Sequence, residues 1–181
     1  MNKKGPVIIL LLIGVLAVLA LFFVWKYGGL IKLPAVTQSS QEKLPAGWEK
    51  GAVKRAVDGD TVELSDGRKV RYIGMNTPET VHPSKPVECF GKEASNKNKE
   101  LVDKKEVYLE KDAEDKDIYD RILRYVYIKN QDSLIMVNEY LVRNGYANVY
   151  TFPPNVKYTD RFIEAERLAR EERVGLWNKC R

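Results

Sequence analysis

The hydrophobic positions divide the chain into an apolar N-terminal run and a longer region of mixed polarity. The 20 residues from Pro6 to Trp25 contain no charged or strongly polar side chain. As a helix they would span roughly 30 Å, the thickness of a bilayer core. A buried core helix would show a polar face, and a cleavable signal peptide has a shorter apolar region followed by small residues. The pattern therefore predicts a retained transmembrane anchor over 6–25, after a short tail over 1–5.

Residues 26–47 are predicted to form a flexible linker, and residues 48–181 a single folded domain. The linker region contains Gly28-Gly29 and Gln38-Ser39-Ser40-Gln41, a composition typical of an extended polar tether. Lysines lie on both sides of the apolar run, so the positive-inside rule does not decide its orientation. A very short charged tail most simply stays in the cytoplasm. We therefore expect a single-pass protein of the cell membrane, with its domain outside the cytoplasm.

Alternating apolar and polar positions predict that the domain opens with three strands, over 53–57, 61–64 and 69–75. Asp58-Gly59 and Asp66-Gly67 separate these strands, and an Asp-Gly pair between alternating runs is a strong hairpin signal. Residues 76–90 are expected to form a long loop.

The later pattern predicts helices over 93–104, 136–144 and 159–173, and strands over 106–110 and 122–128. Three strands, a helix and two strands follow the order of a five-stranded Greek-key barrel of the OB type. We therefore predict an α+β fold, an OB-fold barrel with three helices.

Composition limits the chemistry that such a domain can carry. Net charge is +5, but the first 47 residues hold five lysines and one acid. The remainder is nearly neutral, which does not fit a domain that grips duplex DNA by bulk charge. One histidine and two cysteines exclude His-rich and four-cysteine metal sites, and the P-loop, dinucleotide and Ser-hydrolase motifs are absent from the sequence. Any catalysis must use carboxylates and arginines, with or without a hard metal ion.

Acids and arginines recur where the predicted strands end. They are found in Asp58-Gly59-Asp60-Thr61, at Arg71, in Asn76-Thr77-Pro78-Glu79 and at Arg121 after Asp117. Taken singly, each has an ordinary structural explanation: a turn, the start of a helical turn, or the solvated face of a strand. The combination and its order are more specific.

That ordered series resembles the staphylococcal nuclease (thermonuclease) family over about residues 50–178. The segments that carry the resemblance are V-D-G-D-T-V at 57–62, V-R-Y-I-G-M-N-T-P-E-T at 70–80, H-P at 82–83, E-C-F-G-K-E-A-S at 88–95, the 117–121 segment, M-V-N-E with L-V-R-N-G at 136–145, and G-L-W at 175–177. The resemblance implies an OB-fold, calcium-dependent phosphodiesterase that cuts DNA and RNA, with single strands preferred and a monomeric catalytic domain.

The resemblance also implies roles for individual residues. Arg71 and Arg121 would bind the scissile phosphate, and Glu79 would act on the attacking water. The positions that correspond to calcium ligands are Asp60, Asn76 and the backbone carbonyl of Thr77. The positions that correspond to nucleotide contacts are Tyr119, Tyr150, Phe152 and Lys85. The residue types suit the chemistry, because guanidinium forks match phosphate oxygens and one carboxylate can manage the water proton without a histidine.

Three departures from the family pattern modify this expectation. Asn76 stands where the family usually has aspartate, so we expect weaker calcium binding or an altered metal preference, with activity retained. Asp120 stands where the family usually has glycine, and we expect it to compete with phosphate for Arg121. Phe152 replaces a tyrosine, which keeps ring stacking and loses the hydroxyl.

The two cysteines, Cys89 and Cys180, are either free buried thiols or a disulfide. Cys180 lies in a polar terminal segment, which disfavours an inert core thiol. Pairing would clamp the C-terminal helix to the first helix, and so long a loop would stabilise the fold by roughly 4–5 kcal/mol in the chain-entropy model. We predict the disulfide, which agrees with an extracytoplasmic domain.

The leading hypothesis is a membrane-tethered nuclease. The alternative is a non-catalytic nuclease-like OB module that binds nucleic acid or a partner protein. Degenerate members of such a fold lose their acids and arginines first, whereas Asp60, Arg71, Glu79 and Arg121 are all present here. Their presence favours the enzyme.

Overall fold

The described part of the chain contains eight strands and four helices. The structure is a computed structural model that describes residues 44–80, 86–131 and 133–180. Within these ranges the strands are β1 Trp48–Ala56, β2 Thr61–Leu64, β3 Lys69–Tyr72, β4 Met75–Asn76, β5 Glu106–Glu110, β6 Ile122–Asn130, β7 Ser133–Met136 and β8 Asn148–Val149. The helices are α1 Gly91–Val102, α2 Val137–Arg143, α3 Thr159–Glu171 and α4 Leu176–Lys179.

The predicted membrane anchor falls on a part of the chain that the structure does not describe. The tail over 1–5, the apolar run over 6–25 and most of the linker over 26–47 lie outside the described residues. Of the helices within the described ranges, none has both the length and the apolar character needed to cross a membrane.

Strands β1, β2, β3, β5 and β6 close into a barrel. β1 pairs antiparallel with both β2 and β5, β2 pairs with β3, and β5 pairs with β6. The barrel closes where β3 and β6 run parallel, with Val70 opposite Ile122. Closure leaves these five strands without free edges. The predicted five-stranded OB-type barrel with accompanying helices is thereby confirmed.

The interior of the barrel is apolar, as the alternation in the sequence indicates. Val62 and Leu64 of β2 are at most 1% exposed, while Glu63 between them pairs with Lys54 on the outer face. Helix α2 adds Val137 and Leu141 to the same buried cluster. A rigid, filled barrel is the platform on which the loops at its side are held.

The third predicted strand, over 69–75, is divided in the structure into β3 and β4. Gly74 lies between them with φ +81°, and a ring carbon of Phe162 lies 2.2 Å from the position that a Cβ on Gly74 would take. Only glycine fits such a backbone conformation and such a close approach. After the break, β4 pairs with β8, with Asn76 opposite Asn148. The break therefore turns the segment after Gly74 away from the barrel wall.

A buried asparagine fixes the point of this break. Asn138, at the start of α2, is fully buried. Its side-chain oxygen accepts a hydrogen bond from the Val126 N–H at 2.8 Å, and its Nδ2 donates to the Ile73 carbonyl at 2.9 Å. Because an unpaired buried polar group is costly, these bonds hold the end of β3 against β6 and α2. Residues 75–79 thus leave the barrel from a defined position.

Three further elements differ from the sequence prediction. β1 begins at Trp48 rather than 53, because residues 48–52 pair with β5. β7 follows β6 as a hairpin that the apolar pattern did not predict. The short helix α4 was also not predicted, and the disulfide between Cys89 and Cys180 joins its C-terminal end to the residues before α1.

Candidate active site

One cleft of about 840 Å³ lies beside the barrel. It is formed by the turn between β1 and β2, the segments around β3 and β4, and residues 114–123 and 150–155. Every residue that the sequence predicts for phosphate, metal or nucleotide binding and that lies within the described ranges lines this cleft: Asp60, Arg71, Asn76, Thr77, Glu79, Tyr119, Arg121, Tyr150 and Phe152. Lys85 lies outside the described residues.

Asp60 occupies a fixed position at the inner end of the cleft. The turn that carries it is stabilised by Asp58, whose Oδ1 accepts a hydrogen bond from the Asp60 N–H at 3.0 Å. Asp60 Oδ2 accepts two hydrogen bonds from Thr77, one from its N–H at 2.9 Å and one from its hydroxyl at 3.0 Å. Asp60 is only 7% exposed. Asp60 and Thr77, which are far apart in sequence, are therefore held rigidly against each other.

Arg71 is held by four acceptors of the protein. Its Nε lies 3.3 Å from Asp60 Oδ1. Its Nη1 donates to the backbone carbonyls of Tyr72 and Met75 at 2.9 and 3.0 Å, and its Nη2 donates to Asn76 Oδ1 at 2.8 Å. The side chain is 12% exposed. Its guanidinium is thus positioned before any ligand binds, with little freedom to lose on binding.

Asn76 connects Arg71 to the Thr77 carbonyl. Its Oδ1 accepts from Arg71, and its Nδ2 donates to the Thr77 carbonyl at 3.1 Å. The opposite orientation of the amide would place its oxygen against a carbonyl and its NH₂ against a guanidinium, so the partners determine the orientation. A cation that used the amide oxygen would therefore have to replace the Arg71 donor.

The acids at this end of the cleft offer oxygen ligands and excess negative charge. Burial raises the pKa of Asp58 to about 6, and the neighbouring Asp60 carboxylate adds to the rise. Carboxylate, amide and carbonyl oxygens are the donors that a hard cation prefers, and a cation here would relieve the repulsion between these two acids. No cluster of three or more His, Cys, Asp or Glu side chains with metal-binding geometry occurs within the described ranges. The residues thus fit a hard cation held by few charged ligands.

Arg121 enters the cleft from the segment before β6 and is positioned by Asp117. The Arg121 Nε donates to Asp117 Oδ2 at 2.7 Å, and its Nη2 lies 2.6 Å from the same oxygen. Asp117 Oδ1 also accepts the Arg121 N–H at 3.0 Å. These contacts use one edge of the guanidinium. The Nη1 amino group has no hydrogen-bond partner among residues 44–80, 86–131 and 133–180, so it can receive an anion.

Asp120 does not compete for Arg121, contrary to the expectation from sequence. Its carboxylate pairs with Lys116, with Lys116 Nζ 2.6 Å from Asp120 Oδ1. Its backbone has φ +62°, a left-handed conformation that glycine adopts freely and that aspartate tolerates better than most residues. Position 120 is therefore constrained by its backbone conformation rather than by its charge. The acid that holds Arg121 is Asp117, to which the sequence analysis gave no role. Its signal was its spacing, four residues before the arginine.

Glu79 follows β4 at the rim of the cleft and is half-buried. Its Oε1 accepts a hydrogen bond from the Thr80 N–H at 2.8 Å. Its backbone N–H donates to Glu88 Oε2 at 2.9 Å, and its carbonyl accepts from the Glu88 N–H, also at 2.9 Å. Glu88, which also lines the cleft, is a second site residue to which sequence reasoning gave no role.

Large apolar side chains surround the mouth of the cleft. Tyr119, Tyr150 and Phe152 are 74%, 56% and 66% exposed, and Ile118 is 91% exposed. Exposed aromatic rings beside guanidinium groups suit a ligand that offers flat bases and phosphates together. The mouth of the cleft thus offers exposed flat rings beside the two arginines.

Comparison with known proteins agrees with this arrangement. The family model described as staphylococcal nuclease homologue matches residues 69–179. Thermonuclease of Staphylococcus intermedius is 40% identical over 134 residues, which cover 72% of this chain and 77% of that protein. Endonuclease YncB of Bacillus subtilis is 41% identical over 130 residues, which cover 69% of this chain and 60% of that protein. The SPbeta prophage-derived endonuclease YokF of the same organism is also 41% identical over 130 residues, but these are 43% of its length.

Proposed function

This chain belongs to the staphylococcal nuclease family, and from that premise we propose that it is a nuclease that hydrolyses phosphodiester bonds of DNA and RNA. The observation that carries the proposal is the convergence of Arg71, Arg121 and Glu79 on one cleft beside the oxygen donors of Asp60 and Thr77. The arginines, the acid and the donor set each have a part in such a reaction. The aromatic mouth fits single-stranded substrates, because unpaired bases can stack on exposed rings.

The arginines bind the phosphate and stabilise its developing charge. When water attacks phosphorus, negative charge grows on the non-bridging oxygens, and guanidinium groups match those oxygens well. Arg71 is fixed by four protein acceptors and Arg121 by Asp117. Donors that need no reorganisation are the most effective in the transition state.

Glu79 positions the attacking water and takes its proton. A carboxylate at the rim of the cleft can accept a hydrogen bond from a water molecule that faces the phosphate. The hydrogen bond from the Thr80 N–H to Oε1 orients the carboxylate. General base catalysis of this kind typically contributes about 10²–10⁴ in rate.

We propose calcium as the metal ion. Asp60 and the Thr77 carbonyl would hold it, with Asn76 as a third ligand, and it would supply positive charge beside the phosphate oxygens when bound. The support is the oxygen-only donor set and the raised pKa of Asp58. Calcium binding should be weak, because Asn76 is neutral and its side-chain oxygen already accepts a hydrogen bond from Arg71.

The test is hydrolysis of single-stranded DNA and of RNA by the purified full chain with millimolar calcium, followed by addition of EGTA. We expect short fragments with calcium and none with EGTA. Cleavage that persists in EGTA would refute calcium dependence and leave the nuclease. Binding of the strands without cleavage under any divalent cation would instead establish the alternative, a non-catalytic nuclease-like module.

Replacing Asn76 by aspartate is expected to lower the calcium concentration for half-maximal activity by about tenfold, since one more negative ligand strengthens binding of a hard cation. The same change should appear in calorimetric titration of calcium without nucleic acid. Asn178→Asp, which adds the same charge at an exposed position of α4, is the matched control and should leave both titrations unchanged. Identical titrations for wild type and Asn76→Asp would remove this residue from the metal site.

We further propose that the domain works outside the cytoplasm, tethered to the membrane. The supports are the apolar run over 6–25 and the disulfide between Cys89 and Cys180, since such bonds persist in oxidising compartments. Protease added to intact cells should remove the domain while a cytoplasmic marker survives. Protection of the domain under those conditions would refute this placement.

A further inference from the structure

The backbone of Glu79 is bound on both sides by one residue, Glu88. The Glu79 N–H donates to Glu88 Oε2, and the Glu88 N–H donates to the Glu79 carbonyl, each at 2.9 Å. The first of these bonds depends on a side chain and can be removed by substitution. A backbone held at both its donor and its acceptor has little freedom to rotate, so the direction of the Glu79 side chain depends on the position of Glu88.

Glu88 itself is placed by the start of α1. The Gly91 N–H donates to the Glu88 carbonyl at 3.0 Å. A Cβ on Gly91 would lie 2.9 Å from the Glu79 carbonyl oxygen and 3.0 Å from that of Pro78. The residues around Glu79 therefore pack directly on the beginning of α1, where a larger residue would push them apart.

A covalent bond anchors the same segment to the C-terminal part of the domain. Cys89, the residue after Glu88, is joined to Cys180. The far end is fixed, because the Leu176 N–H donates to the Gly145 carbonyl at 2.8 Å and the Trp177 ring lies 3.8 Å from the Arg170 guanidinium. Cys89 is exposed, so a soluble reductant can reach the bond in the folded protein.

We propose that Glu88 is a positioning residue for Glu79, and that the Cys89–Cys180 disulfide sustains turnover by holding Glu88 in place. This inference rests on the proposed function. A dithiol that reduces the bond leaves two protein thiols and becomes a disulfide itself. The bond joins Cys89, before α1, to Cys180, after α4, so it lies outside the strands of the barrel. Ring stacking of Phe90 on Tyr146 also holds the start of α1. Reduction therefore loosens Glu79 in a folded domain.

The first test compares kcat and KM of Glu88→Ala, Glu88→Gln and wild type, each as the full chain with calcium. We expect Glu88→Ala to lower kcat by about tenfold with little change in KM, since small displacements of a catalytic group cost rate more than binding. Glu88→Gln should restore most of this loss, because its amide oxygen accepts the same N–H. Glu93→Ala, an exposed acid in the first turn of α1, is the matched control and should behave as wild type.

A double substitution separates positioning from a direct role. If Glu88 acts through Glu79, Glu88→Ala should not lower further the residual rate of Glu79→Gln. An equal loss of kcat in both backgrounds, or a wild-type kcat for Glu88→Ala, would overturn the inference.

The second test addresses the disulfide. Dithiothreitol and the Cys89→Ser substitution should each lower kcat by a factor similar to that of Glu88→Ala, and dithiothreitol should have no effect on the Cys89→Ser variant. Assays run below the unfolding temperature of each variant keep the comparison between folded proteins. A reduced wild type with full kcat would overturn the part played by the disulfide.

A readout without turnover distinguishes failure of this inference from failure of the proposed function. The Glu79 amide should exchange its hydrogen faster in Glu88→Ala and in the reduced protein than in wild type, as followed by NMR. Equal exchange rates would overturn the inference even in an active enzyme. Faster exchange in a chain that cleaves nothing would support the structural coupling and refute the nuclease.

Discussion

Substituting Arg121 by alanine is expected to lower kcat by about a thousandfold, with a much smaller change in KM. The reason is the geometry of its guanidinium, which Asp117 binds along one edge at 2.6 and 2.7 Å. The side chain is therefore fixed in the cleft, where the proposed function has it bind the phosphate. Loss of a fixed donor mainly affects the transition state, in which that charge is largest. Steady-state kinetics on single-stranded DNA with saturating calcium measures the effect.

Two further variants make the result specific to the arginine. Arg121→Lys keeps the charge but lacks the planar fork, so it should recover little of the lost rate. Asp120→Gly removes the neighbouring acid, whose carboxylate faces Lys116, and glycine accepts the local φ of +62° without strain. We expect this variant to keep its kcat. A large gain in kcat for Asp120→Gly would mean that Asp120 does compete for Arg121 in solution, and a fully active Arg121→Ala would remove the arginine from the mechanism.

Much of the fold could be predicted because the local sequence patterns match the strands, turns and helices that the folded domain contains. Alternation in β2, the Asp-Gly turns and the helical stripe through Val137 and Leu141 all point to the observed elements. The break at Gly74 could not be predicted, because its cause is the ring of Phe162, which is close only in the folded chain. The early start of β1 at Trp48 has the same origin, namely pairing with β5.

The composition of the cleft was also predictable, but its internal contacts were not. The ordered series of motifs identified the residues that the structure brings together, such as Asp60 and Arg121. It gave no information on which acid would hold which base, since Asp117 and Asp120 are equally plausible partners in sequence. That choice is decided by the left-handed backbone at Asp120, which turns its side chain to Lys116. The pairing of Glu88 with the Glu79 backbone likewise exists only in the folded chain.

Replacing Glu79 by glutamine is expected to lower kcat by about 10²–10⁴-fold with little effect on KM, because the amide cannot accept the proton of the attacking water. The change is nearly isosteric, and the amide oxygen can keep the hydrogen bond from the Thr80 N–H that now binds Oε1. Loss of rate would therefore reflect chemistry rather than displacement. Single-turnover cleavage of a short labelled DNA strand measures it without interference from product release.

The sharpest form of this prediction compares Glu79→Gln with Glu79→Asp. Aspartate keeps a proton acceptor but shortens the side chain by one methylene, so it should recover part of the lost rate if proton transfer is the missing step and a displaced acceptor can still reach the water. Glu93→Gln, which neutralises an exposed acid of α1, controls for the change in net charge and should keep full activity. A Glu79→Gln variant as fast as wild type would mean that another acid of the cleft accepts the proton. Asp58 would then be the residue to replace next, because burial raises its pKa to about 6. A rate lost equally in Glu79→Gln and Glu79→Asp would instead place the requirement on the position of the carboxylate, which is the property that the proposed positioning by Glu88 and the neighbouring disulfide would control.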